Sequence, residues 1–211
     1  LAEAFGKKET REYTPEREDE ELAKKIKDLA YDKVYEIARN GSSKKERGEA
    51  FAAIKEDVKA TFTEEELERH FDFYEPLTVH ESSLSPCVHS IQAAKLNRMD
   101  QAYTFYLRTS RLDLDDYNKE VEEGCHITSM AGTWMSIVEG FGGMRVVNDT
   151  LSFEPRIPKE WDAYSFKVNF RNQVVKVNVS QKGSTFEVEG NSTLSIILNG
   201  EALKIAYRWK F

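Results

Sequence analysis

The sequence predicts an α+β fold, with helices up to about position 147 and short β-strands after it. Two changes of pattern indicate this. Apolar residues recur about every 3.6 positions up to position 147, and at every second position from about 150 onward. In addition, positions 1–70 hold 34 charged side chains (15 Lys+Arg and 19 Asp+Glu), whereas positions 71–211, twice as long a stretch, hold 33. This step predicts a domain boundary near Arg69-His70.

The first segment, residues 1–69, is expected to form charged, amphipathic helices. Thr14-Pro15 is typical of a helix start, and Asn40-Gly41 of a helix end. The pairs Ser43/Glu46 and Thr63/Glu66 match the capping box, in which two side chains each bond the other residue's backbone N–H. The charge here is expected to form a solvated outer face.

The middle segment, residues 70–148, is also expected to be helical but is much less charged. Ser85-Pro86 predicts a helix with Ser85 as N-cap, and another helix is expected to follow His126 and to stop in the stretch from Gly140 to Gly143. The apolar faces of these helices are wide, so we expect them to need neighbours.

The last segment, residues 149–211, is expected to form a small antiparallel β-sandwich. Alternating apolar runs flank Lys182-Gly183 and Asn199-Gly200, and Asn-Gly is a strong hairpin signal. Across the second turn we expect Leu194, Ile196 and Leu198 to lie opposite Leu203 and Ile205.

Composition narrows the class of protein. The chain has 211 residues, a net charge of −7 and two cysteines, Cys87 and Cys125. Its apolar runs are far too short to span a bilayer, and the N-terminus lacks a secretory signal pattern. Two cysteines make neither a disulfide framework nor a zinc site. We therefore expect a cytoplasmic protein with no metal, no membrane contact and no broad nucleic-acid surface.

Two polar clusters directly precede predicted helix starts: residues 80–85 (HESSLS) and 124–129 (GCHITS). Hydroxyls and an imidazole at a helix N-terminus suit an anion such as phosphate. Alternatively, Ser85 is simply an N-cap, and Ser82 or Ser83 satisfies loop backbone groups. His89 is expected to be a packed or surface histidine. Asp113, Asp115 and Asp116 lack the spacing of a calcium loop, and we interpret them as capping and loop residues.

Several motifs resemble the inverting disaccharide phosphorylases of glycoside hydrolase family 65, such as maltose phosphorylase. They are residues 73–86 (FYEPLTVHESSLSP), 111–118 (RLDLDDYN), 126–134 (HITSMAGTW), 139–145 (EGFGGMR) and 151–158 (LSFEPRIP). The resemblance covers about residues 70–205. It implies that the middle segment holds the last helices of an (α/α) toroid and that the last segment is the family's C-terminal β domain.

The resemblance also implies a chemistry. In the family, inorganic phosphate attacks the anomeric carbon of an α-linked glucose disaccharide with inversion, as co-substrate and with no cofactor. The phosphate-binding role carries over to Ser82, Ser83 and His126. The family's general acid, a glutamate on an earlier toroid helix, has no counterpart here, so no catalytic residue is assigned and the chain is expected to be inactive alone.

Residues 1–69 resemble something else, the helical linker domain of polynucleotide phosphorylase. The likeness rests on stretches such as residues 1–8 (LAEAFGKK) and 31–38 (YDKVYEIA). In that family the segment is a spacer, so no site carries over.

The leading hypothesis is thus a fragment of a maltose-type phosphorylase, carrying the phosphate half-site and joined to a foreign helical segment. One alternative is a non-catalytic module that docks on a partner protein. Another is an accessory of RNA phosphorolysis. Since the parent toroid would cover these helices, we also expect self-association through them.

Overall fold

The structure is a computed structural model that describes residues 20–40, 43–59, 61–80, 82–116, 119–190 and 193–206. The chain divides into two compact units, residues 1–66 and 67–211. The division lies close to the step in charge. The three-part division at residues 69 and 148 stays a prediction.

The first unit is helical. Its helices are α1 (Glu20–Arg39) and α2 (Lys44–Lys59), and α3 (Glu64–Tyr74) begins at its end. Helices α1 and α2 pack together, and Lys33 Nζ donates to Asp57 Oδ2 at 3.0 Å. The predicted helix start at Thr14-Pro15 and the stop at Gly41 lie outside the described residues.

Both predicted capping boxes are confirmed. The Ser43 N–H donates to Glu46 Oε2 at 2.8 Å, and the Glu46 N–H donates to Ser43 Oγ at 3.3 Å. Thr63 and Glu66 repeat the same pair of bonds at 2.8 and 3.2 Å. Each box therefore satisfies two N–H groups that a helix start leaves unpaired.

The helices of the second unit are α4 (Ser85–Lys95), α5 (Met99–Ser110) and α6 (Ile127–Met135), with short 3₁₀ turns at Glu75–Leu77 and Val121–Glu123. A π-helical turn, Ser136–Phe141, continues α6. Helix α4 packs against α5, α6 and this turn. The buried core of the helices consists of Phe71, Ala93, Ala94, Ala102, Phe105 and Phe141.

Within the part of the chain that the structure describes, seven strands follow: β1 (Arg145–Val147), β2 (Thr150–Phe153), β3 (Ala163–Phe170), β4 (Gln173–Ser180), β5 (Gly183–Val188), β6 (Thr193–Leu198) and β7 (Glu201–Ala206). They form one sheet of order β1-β2-β6-β7 and one of order β3-β4-β5. Buried residues of both sheets, such as Phe153, Ile196, Val177 and Val188, share one core. The predicted α+β class with a β-sandwich is confirmed.

One strand pair departs from the antiparallel prediction. Strand β2 pairs with β6 in parallel, with Ser152 opposite Ile197 and Phe153 opposite Leu198. The β6–β7 hairpin is as expected, with Leu194 opposite Ile205 and Ile196 opposite Leu203. Parallel neighbours need a long connection, and here the β3-β4-β5 sheet supplies it.

Candidate functional site

The two polar clusters singled out from the sequence lie at two helix starts of the second unit. Ser82 and Ser83 lie in the turn before α4, where the Ser85 N–H donates to the Ser82 carbonyl at 3.2 Å. His126 is the N-cap residue of α6. Residue 81, the glutamate of the first cluster, lies outside the described residues.

A hydrogen bond joins the two clusters. Ser83 Oγ and Thr128 Oγ1 are 2.9 Å apart, although 45 residues separate them in the chain. This contact brings the turn before α4 against the first turn of α6. The helix starts are therefore neighbours, with Ser82, Ser83 and Thr128 at least partly accessible.

Ser82 also serves its own backbone. Its hydroxyl oxygen accepts the Leu84 N–H at 3.3 Å. This is the structural role that the sequence analysis left open for Ser82. The bond uses one acceptor lone pair and leaves the hydroxyl hydrogen available, because Ser82 Oγ is the acceptor in it.

His126 is held by a carboxylate. Asp113 Oδ1 lies 2.6 Å from His126 Nδ1, and Asp113 Oδ2 accepts the His126 backbone N–H at 2.9 Å. Because a carboxylate can only accept, Nδ1 carries a proton and Nε2 faces away from Asp113. Glu120 Oε2 lies 3.4 Å from Nε2.

The two carboxylates favour the imidazolium form. The hydrogen bond to Asp113, followed by the charges of Asp113 and Glu120, raises the pKa of His126 above its ordinary value. The same pair of hydrogen bonds lowers the pKa of Asp113. The site can thus present a cation and hydroxyl donors to an anion, which must compete with Glu120 for the Nε2–H.

Sequence reasoning missed the partner of His126. It assigned Asp113 to capping and loop structure, and Asp113 does accept a backbone N–H, but its contact with the imidazole was not foreseen. The signal was weak because the two lie far apart in the chain and other acidic side chains crowd the stretch around Asp113. Asp115 instead pairs with Arg111, whose Nε lies 2.7 Å from Asp115 Oδ2. Tyr117 and Asn118 of the same motif lie outside the described residues.

The prediction that Ser85 is an N-cap is wrong. Leu84 occupies the N-cap position and Ser85 is the first residue of α4, with Pro86 beside it. The Ser85 hydroxyl lies 2.8 Å from His80 Nδ1, so this imidazole competes for the side chain. His89 is half-buried against Phe71 and Phe105, as expected of a packed histidine.

Other features of the described residues do not add to this site. An open depression in the β part is lined by Glu154, Pro155, Arg156, Asn199 and Gly200, where Arg156 pairs with Glu154. Within the described ranges, no cluster of three or more His, Cys, Asp or Glu side chains could hold a metal ion. None of the helices described there is long and apolar enough to cross a bilayer.

Comparison with known proteins places these residues in a family. The family sequence model of the glycosyl hydrolase family 65 central catalytic domain matches residues 3–135. The sequence model of the family's C-terminal domain matches residues 144–205. The first match extends N-terminal of residue 70, beyond the extent of the resemblance noted from the sequence.

Individual disaccharide phosphorylases also match this chain in sequence and in structure. The chain is 59% identical over 127 residues to maltose phosphorylase of Bacillus subtilis (strain 168), which is 60% of this chain and 17% of that protein. A solved structure described as a candidate kojibiose phosphorylase from the human microbiome superposes with a TM-score of 0.66 at 38% identity. The superposition covers 74% of this chain and 23% of the chain in that structure. The chain therefore spans less than a quarter of these relatives.

A shorter match corresponds to the second resemblance. Over 72 residues, 34% of this chain, the sequence is 64% identical to polyribonucleotide nucleotidyltransferase of Christiangramia forsetii (strain DSM 17595 / CGMCC 1.15422 / KT0803). The match covers 10% of that protein. Two different kinds of enzyme thus share sequence with this one chain.

Proposed function

This chain belongs to glycosyl hydrolase family 65, and from that premise we propose that it forms the phosphate-binding part of an inverting disaccharide phosphorylase. The observation that carries the proposal is the 2.9 Å contact between Ser83 and Thr128. It places the serine pair of one motif beside the helix start that follows His126. Donors from two distant stretches can then converge on one oxyanion, as phosphate requires.

In this proposal Ser82 and Ser83 donate hydroxyl hydrogens to phosphate oxygens, and His126 supplies a positive charge. Phosphate then forms the new bond to the anomeric carbon while the glycosidic C–O bond breaks, which gives a glucose 1-phosphate and the second sugar. The residues of this chain hold and orient the nucleophile. Their contribution is therefore proximity and electrostatic stabilisation.

We further propose that the isolated chain does not turn over a disaccharide. The departing sugar oxygen needs a proton from a general acid. The resemblance places that acid on an earlier toroid helix, outside the motifs that this chain shares with the family. Phosphate binding without phosphorolysis is the expected behaviour. The proposal does not specify which disaccharide is the substrate, because the relatives are named for both maltose and kojibiose.

Phosphate titration by calorimetry tests the site. Each of Ser82→Ala, Ser83→Ala and His126→Ala removes one bond to a charged ligand, worth about 1.5 kcal/mol or roughly tenfold in affinity. Glu120→Gln is the comparison variant with the opposite expected sign. It removes a carboxylate that competes for His126 Nε2–H and, at a pH low enough to keep His126 charged without it, should tighten binding. Unchanged affinity in the three alanine variants would contradict the site, and glucose 1-phosphate formed from maltose would contradict inactivity.

A second candidate role, docking on a partner protein, is favoured by exposed apolar side chains. Ile127, Met130 and Trp134 of α6 are about half exposed or more, at positions i, i+3 and i+7 of one helix face. Leu84 and Val88 at the start of α4 are exposed as well. Such a face is typical of a surface that another protein covers. Co-purification of a defined partner that Met130→Glu abolishes would support this role.

A further inference from the structure

The loop that carries the serine pair is tied at both ends to one side chain, that of His80. The imidazole is only 8% exposed and packs against the rings of His89 and Phe105, at centroid distances of 4.6 and 5.0 Å. Its Nδ1 lies 2.8 Å from Ser85 Oγ. One ring therefore links the residue before the loop to the residue after it.

The hydrogen bonds fix the tautomer of this imidazole. His80 Nε2 lies 3.4 Å from Glu75 Oε1. A carboxylate only accepts, so Nε2 carries the hydrogen and the uncharged ring has a lone pair at Nδ1. The Ser85 hydroxyl then donates to Nδ1. The Ser85 hydroxyl can donate in this way only while Nδ1 is unprotonated.

The backbone of His80 is constrained too. Its φ is 55°, in the left-handed region that non-glycine residues seldom adopt. Arg108 Nη2 donates to its carbonyl oxygen at 2.7 Å. The buried ring, the uncommon φ and the anchored carbonyl together fix the backbone at residue 80, two positions before Ser82.

We infer that His80 is a positioning residue for oxyanion binding, holding the loop so that Ser82 and Ser83 face the start of α6. The inference rests on the proposed function, because it assigns His80 a role toward the same anion. His80 acts through Ser85 and the loop and makes no contact with the ligand.

A charged His80 would reverse the hydrogen bond with Ser85. A protonated Nδ1 can only donate, so the Ser85 hydroxyl would have to turn and accept while the ring carries a charge in a buried position, and we expect this to disturb the loop. Burial, together with the neighbouring His89 and Arg108, lowers the pKa of His80, whereas Glu75 opposes the shift. Among the described residues, these are the titratable and charged groups that act on the ring. The acceptor is thus present at neutral pH and lost only on acidification.

The test is sulfate binding to the full chain. Sulfate stays a dianion between pH 5 and 8, so the pH dependence of binding comes from the protein. His80→Ala should weaken binding at least tenfold. His80→Asn should lose less, since asparagine tolerates positive φ and places an amide oxygen near the position of Nδ1. His70→Asn, the same kind of substitution at a histidine of α3, is the matched control and should bind like the wild type.

The pH profile separates positioning from packing. Wild-type affinity should fall on acidification, although His126 gains charge in the same direction, and His80→Asn should lack this fall while circular dichroism shows an intact fold. If His80→Ala does not fold, this comparison decides. Wild-type affinity in His80→Ala, an equal loss in His70→Asn, or an unchanged fall on acidification in His80→Asn would overturn the inference. Failure of the proposed function looks different: sulfate binding would then be insensitive to alanine at Ser82, Ser83 and His126, and both ideas would fall.

Discussion

The contact between Asp113 and His126 makes the charge of the candidate site depend on pH. Because the pKa of His126 is raised in the folded chain, its stabilising pair with Asp113 is fully present below the ordinary histidine pKa. The contribution is lost as pH rises through the raised value. The cation that an oxyanion needs disappears over the same range.

Sulfate affinity should therefore decline as pH rises above the ordinary histidine pKa, and Asp113→Asn should move this decline to lower pH. An amide in place of the carboxylate no longer favours the imidazolium. Titration of the His126 ring protons by NMR measures the pKa, and calorimetry measures binding in parallel. An Asp113→Asn profile that coincides with the wild type would contradict this account.

At position 143, the close approach of the Glu154 backbone leaves room only for a glycine. Its φ is +59°, and an added Cβ would lie 2.4 Å from the Glu154 carbonyl oxygen. The strained conformation alone costs roughly 1–3 kcal/mol in a non-glycine residue, and the clash with backbone adds to it. Gly143→Ala should lower the free energy of unfolding in urea by more than that range. Gly190→Ala is the matched control, with φ +85° and nothing within 4 Å; equal losses would contradict the role of the clash.

At the scale of elements, features set by a few neighbouring residues could be predicted from the sequence. The capping boxes at Ser43 and Thr63 and the hairpin at Asn199-Gly200 each depend on chemistry within four or five positions. Asn199 has φ 51° and Gly200 φ 85°, the conformations that such a turn needs. The local sequence pattern was therefore enough to predict the two capping boxes and the hairpin.

Features that depend on distant residues could not be predicted in the same way. The parallel pairing of β2 with β6 joins stretches that are far apart in the chain, and alternation is identical in parallel and antiparallel strands. The Ser85 hydroxyl shows a different limit: its partner His80 is only five positions away, but spacing alone does not distinguish a bond to this imidazole from an N-cap bond. In the candidate site, the resemblance to the family suggested Ser83 and His126. The contacts of Ser83 with Thr128 and of His126 with Asp113 could be seen only in the folded chain.

The packing of α4 on α6 depends on Gly132. A Cβ there would lie 2.8 Å from Cys87 Cβ and 2.9 Å from its Sγ, both in the neighbouring helix. Gly132→Ala should destabilise the second unit by about 1–3 kcal/mol, as overpacking usually does. Cys87→Gly should recover part of the loss, since it removes both contact atoms. A double-mutant cycle in thermal unfolding measures the coupling; additive effects would show that the helices separate freely.

At the scale of the whole molecule, charge and apolar surface are unevenly distributed. Positions 1–70 carry about half of all charged side chains, whereas α6 carries none. Its exposed face holds Ile127, Met130 and Trp134, at 68%, 50% and 49% exposure. Charged side chains help to keep chains apart in water, but in the sequence they are concentrated away from this face.

We therefore expect the chain to self-associate through the helices of its second unit. A large apolar side chain gains about 1.5–3 kcal/mol when fully buried, so covering three such residues twice in a symmetric dimer offsets a good part of the cost of association. Light scattering should show a mass above that of a single chain, falling with dilution. Met130→Glu should shift the equilibrium to monomer, whereas Tyr35→Glu, a substitution of a similarly exposed residue in the first unit, should not. A monomer at all concentrations that binds no apolar dye would show that this face is stable in water, and the docking role proposed for it would then lose its physical basis.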